Sequence, residues 1–125
     1  MVEIRQPSRV ILGMTYSTEE QKQIAETILD QLGGHIKAMI GAYNVFSHAE
    51  GALSFRFKCH AQNQSNYCKI TLIGDSYKVE FKSIRGTSIK NKGEFEDVYA
   101  DTLRSLFESE TGLCLVMPVV HFARA

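Results

Sequence analysis

Apolar and polar positions alternate through the middle of the chain. In YKVEFKSIRG, residues 77–86, Tyr77, Val79 and Phe81 alternate with Lys78, Glu80 and Lys82. A period of two over this length predicts a strand with one buried face. ALSFRFKCH repeats the pattern, with Leu53, Phe55, Phe57 and Cys59 on one side and Ser54, Arg56 and Lys58 on the other. YCKITLIG does so again, setting Cys68, Ile70 and Leu72 against Lys69 and Thr71. GDS at 74–76 is a tight-turn signal joining the last two runs, and AQNQSN is a polar loop joining the first two. If that loop closes symmetrically, Cys59 faces Cys68, Phe57 faces Ile70 and Phe55 faces Leu72. All six then point inward, and the two cysteines are reduced neighbours in the core.

The period changes at both ends of this block. STEEQKQIAETILDQLGG predicts a helix: Ile24, Ile28, Leu29 and Leu32 share one face, Ser17 and Glu20 make a capping box, and Gly33–Gly34 stop it. HIKAMIGAYNVFS predicts a strand broken near Gly41. RGTSIKNKG, 85–93, predicts a loop. EFEDVYADTLRSLFESETG predicts a second helix, with a stripe of Phe95, Val98, Tyr99, Leu103, Leu106 and Phe107 and a stop at Gly112. RVILG at 9–13 is a short strand or an apolar lead-in. The apolar tail LCLVMPVVHF is a last strand or an association surface, and Pro118 argues for an edge.

The expected fold is α+β, a single domain over residues 1–125. Its four- to five-stranded antiparallel sheet carries two helices packed on one face, in the order helix, strands, helix. The other sheet face is left open, bearing Arg56, Lys58, Lys69, Lys78 and Lys82 with one acid, Glu80.

Charge sharpens that picture. The chain has 125 residues and no net charge, but residues 52–92 hold eight Lys and Arg against Asp75 and Glu80, a local +6. Residues 17–34 sum to −3 and residues 93–112 to −5. The expectation is a basic sheet side and an acidic helix side, an asymmetry that bears on partners rather than on fold.

Three scattered cysteines and four histidines show no metal-ligand spacing, so neither a metal nor another cofactor is expected. No apolar run long enough for a membrane helix and no apolar leader is present, which points to the cytoplasm. No nucleophile elbow, phosphate-loop or dinucleotide motif occurs, so a non-enzymatic binding role is expected. The basic residues suit a phosphate-bearing ligand. Arg56 and Arg85 offer paired donors, Thr87, Ser88 and Asn91 add polar groups, and Phe81 or Tyr77 offers a stacking face.

The segments AETILDQLGG, MIGAYNVFS, LSFRFK, KITL, DSYKVEFKSIRG and FEDVYADTLRSLFESETGL resemble small proteins of phages and mobile elements, over about residues 25–113. Among these the chain is similar to the anti-Thoeris sponge proteins. The resemblance implies a homo-oligomer, dimer or higher, that sequesters a cyclic ADP-ribose-type or other cyclic nucleotide signal without cleaving it, in the cytoplasm of the host cell. It implies ligand contacts at Arg56, Phe81 and Asn91. With Arg85 and Thr87 these are the candidate ligand-binding residues. The alternative is an anti-CRISPR-like inhibitor that binds protein or nucleic acid through the basic sheet face or the acidic helices.

Overall fold

The computed structural model describes residues 16–115. In chain order they form α1 (Thr18–Gln31), α2 (Ile36–Ile40), β1 (Tyr43–His48), β2 (Ala52–Arg56), β3 (Tyr67–Ile73), β4 (Ser76–Arg85), β5 (Ser88–Val98) and α3 (Ala100–Thr111). The strands lie side by side in sequence order as one antiparallel five-stranded sheet. This is the expected α+β arrangement of a helix, an antiparallel sheet and a C-terminal helix that packs with the first. The readings placed on 9–13 and on the tail beyond Leu115 lie outside the described residues. Among the described residues no helix is long and apolar enough to cross a membrane.

Helix α1 starts where the capping box places it. Glu20 N donates to Ser17 Oγ at 3.3 Å, and Ser17 N donates to Glu20 Oε1 at 3.0 Å. Ile28 and Leu32 are completely buried, with Ile24 and Leu29 packed at the margin. Helix α3 contributes Leu103 and Phe107 from the other side of the same layer. Between helices and sheet lies an aromatic centre in which Phe107 sits 6.0 Å from Phe55, 5.7 Å from Phe57 and 5.6 Å from Phe81, ring to ring. Offset and edge contacts of this kind add to the gain from burying the rings.

Four expectations are corrected. HIKAMI is helical: Ile36 and Ile40, one turn apart, are both buried, and Gly41 at φ +69° ends the turn in the left-handed region. Residues 88–98 are strand β5, so neither a loop through 85–93 nor a helix from 94 exists. Helix α3 begins at Ala100. The β2–β3 register is Leu53↔Ile70 and Phe55↔Cys68. The chain leaves the sheet after Phe57, where the N–H groups of Lys58 and Cys59 donate to the Ile40 carbonyl at 3.1 and 3.2 Å. The offset from the symmetric register is even, so every apolar side chain of the pairing stays inward. Cys59 lies beyond the pairing and is exposed, while Cys68 is buried. The two are not core neighbours.

Strands β4 and β5 make a long hairpin that runs past the core. Its two-residue turn, Gly86–Thr87, closes on the pair Arg85↔Ser88. Gly86 takes φ +60° and Thr87 stays negative, which is the pattern of a type II′ turn. Strand β5 pairs with two irregularities. Lys92 is extra between Lys82↔Asn91 and Phe81↔Gly93, and Glu96 with Asp97 stands against Lys78 between Val79↔Phe95 and Tyr77↔Val98. Each is a bulge, which bends and twists a strand while the pairing on either side continues.

Candidate functional site

Side-chain phase along the hairpin decides what faces what. Ser83 and Arg85 keep the phase of Val79 and Phe81, so they point to the helix side of the sheet, beyond the reach of α3. Across from them lie Lys90, opposite Ser83, and Ser88, opposite Arg85. The bulge adds Lys92 to the same side. Gln64, in the left-handed region at φ +66°, comes in from the loop between β2 and β3. That loop is tied to α3 by Gln62, whose N–H donates to Thr111 O at 2.8 Å and whose side chain donates to Ser109 O at 3.1 Å.

These six residues, Gln64, Ser83, Arg85, Ser88, Lys90 and Lys92, line a cleft of about 250 Å³. Its lining has three cations, two hydroxyls and an amide, and no carboxylate. Arg85 offers a planar fork that matches two oxygens of a phosphate, and the lysines add mobile point charges. Ser83 is buried under the cleft while Arg85, Ser88 and Lys90 are exposed. The lining holds no histidine, cysteine or acid, and its cations and hydroxyls are suited to holding an anion.

The candidate residues read from the sequence do not gather in one place. Arg85 lines the cleft, and Thr87 stands at the turn above it. Asn91 points to the opposite, open face with its cross-strand partner Lys82, and its Oδ1 accepts from Gly93 N at 2.9 Å. Arg56 also lies on the open face, donating from Nη2 to Ile84 O at 3.3 Å. Phe81 is completely buried between Phe95 and Phe107. Its ring has no face left for a ligand, which corrects the contact that the resemblance implied. Tyr77, the other candidate stacking ring, is buried against α1.

The open face is less basic than its lysines suggest. Lys69 Nζ meets Glu50 Oε2 at 2.6 Å, and Lys82 Nζ lies 4.0 Å from Glu80 Oε2. Glu94, expected on a helix, pairs across from Glu80 on this face. The hydrogen bond from Lys69 holds the Glu50 carboxyl below the usual carboxylate range. Burial works against the Lys69 charge, but the Glu50 contact outweighs it and the ammonium is held above its ordinary value.

Gln64, Ser83, Lys90 and Lys92 were missed as site residues. Lys90 and Lys92 lie inside the +6 segment, and that charge excess was the available signal. Ser83 and Gln64 carry none. Among the described residues no cluster of three His, Cys, Asp or Glu side chains is placed to hold a metal. No family model, curated protein or solved structure matches the chain.

Proposed function

We propose that the protein binds a small phosphate-bearing ligand, of the cyclic ADP-ribose-type or related cyclic nucleotides, and holds it without cleaving it. The phosphate sits in the hairpin cleft. One observation carries this reading: Arg85, Lys90 and Lys92 converge on a space of nucleotide-phosphate size with no acid in its lining. The nucleotide part, the sequestering role against a host defence signal, self-association and a cytoplasmic setting rest on the resemblance to anti-Thoeris sponge proteins. With Phe81 in the core, recognition at the cleft acts through phosphate oxygens rather than a stacked base.

Incubation with candidate cyclic nucleotides, denaturation, and mass analysis of what is released test the proposal. Intact ligand in stoichiometric amount supports sequestration. A converted product makes the protein an enzyme, and no retention removes the reading. Arg85→Ala and Lys90→Ala are each expected to weaken retention by about 1–1.5 kcal/mol, roughly five- to tenfold in Kd, since the lost contacts are charge-assisted but partly solvated.

A further inference from the structure

The open face carries a second arrangement, independent of the cleft. Cross-strand pairing aligns Tyr43, Arg56, Tyr67, Lys82 and Asn91 in one row across all five strands. The row contains no carboxylate. Both α1 and α3 lie on the other side of the sheet, and β1 is exposed along nearly its whole length. Phe46, opposite Ser54 in the adjacent row, is 58% exposed. Lys58 extends the row's charge, with its Nζ 5.6 Å from the Tyr43 ring centre and the Arg56 guanidinium 5.8 Å from it. Among the described residues the Arg56 guanidinium donates to a backbone carbonyl through Nη2, and its Nε is buried without a partner. The adjacent row holds Glu80 and Glu94, so a polyanion is confined to the line from Tyr43 to Asn91.

We infer that this row is a platform for single-stranded nucleic acid. Rings interleaved with cations on an uncovered sheet are what a sequence-tolerant single-strand site needs. Each base has a face to stack, and each phosphate needs a positive neighbour. Tyr43 and Tyr67 are two strands apart, about 10 Å, which suits two splayed bases of one strand. A duplex keeps its bases stacked inside and cannot present them to the rings. A single nucleotide is too small for a row that crosses the whole sheet.

The test is fluorescence anisotropy with a labelled oligothymidine of about ten nucleotides, near the span of one small binding domain. Binding is expected, with a log–log salt slope of about −2 from the phosphates neutralised by Arg56, Lys58 and Lys82. Tyr43→Ala and Tyr67→Ala each weaken it about tenfold, whereas Tyr67→Phe keeps it because the ring remains. Lys82→Gln makes the salt slope shallower by somewhat under one. Lys22→Gln, on the exposed side of α1, changes nothing. Thermal melts of each variant separate loss of the site from loss of the fold. No signal at about 100 µM protein and low salt, the weak end of non-specific binding, overturns the inference. So does binding indifferent to Tyr43→Ala and Tyr67→Ala, or duplex bound as tightly as single strand. A dimer that buries β1, excludes the oligonucleotide and dissociates on Phe46→Asp without gaining affinity for it also overturns the inference, in favour of self-association.

Discussion

Phe81 shows how a residue's phase constrains its role. Alternation in YKVEFKSIRG places it inward, and the structure finds it at zero exposure, edge-on to Phe95 at 6.1 Å. Phe81→Ala is therefore expected to cost about 3–5 kcal/mol of stability by leaving a large void. Phe81→Leu should cost less and leave ligand retention intact in whatever fraction remains folded. Denaturant melts alongside the retention assay separate the two effects. The cysteines divide similarly. Burial pushes the Cys68 thiol well above its ordinary range, while Cys59 and Cys114 are exposed. Native labelling should modify two thiols quickly and Cys68 only on unfolding. Because its folded pKa is raised, Cys68 contributes its stabilising effect at lower pH. As pH rises past about 8.5 the unfolded chain loses the thiol proton while the folded chain keeps it. Stability should therefore decline there, and less steeply in Cys68→Ala.

Strands β2, β3 and β4 and the capped helix α1 were legible because one period runs unbroken through each. Strand β5 was not. Its inward residues are Ser88 and Lys90, then Gly93 and Phe95, then Val98; each bulge shifts the phase by one, and no period of two survives over its length. Phe95, Val98 and Tyr99 also happen to stand at helical spacing ahead of Leu103, so the helix was read as starting too early. Of the site, Arg85 and Ser88 were legible as donors and Lys90 and Lys92 only as a charge excess, because its assembly depends on pairing across β4 and β5. Local backbone demands are testable in the turns. Gly51 has φ +87°, and an added Cβ would lie 2.6 Å from Tyr16 Cε2, whereas Gly74 has φ +66° with open space around it. Gly74→Ala should cost about 1–2 kcal/mol, the strain of a left-handed residue with a side chain. Gly51→Ala should cost more by about 1–3 kcal/mol, since an inserted group must also displace a ring. Melts of both proteins check the order.

Across the whole molecule the expected division into a basic sheet side and an acidic helix side is replaced by a finer one. Glu50, Glu80 and Glu94 share the open face with its lysines, where Lys82 lies 4.0 Å from Glu80, and a group of three cations with no acid in the lining collects in the cleft at the tip of the hairpin. The Glu50–Lys69 pair is partly exposed, so Glu50→Gln should cost only about 0.5 kcal/mol at neutral pH, and less in high salt. Because the carboxyl's folded pKa is lowered, its contribution is present above the ordinary carboxylate range and fades as pH falls through the lowered value. The variant should lose that part of the acid sensitivity in a pH series of melts. The extra residue at position 92 has a consequence for the length of the chain. Removing Lys92 would restore one-to-one pairing between Phe81–Lys82 and Asn91–Gly93 and leave every other side chain on its present face. Removing any one residue from 88–91 would instead reverse the faces of those between the cut and the turn. Homologues that vary in length along this strand should therefore gain or lose residues at the bulge, keeping cleft and row on opposite sides of the same two strands.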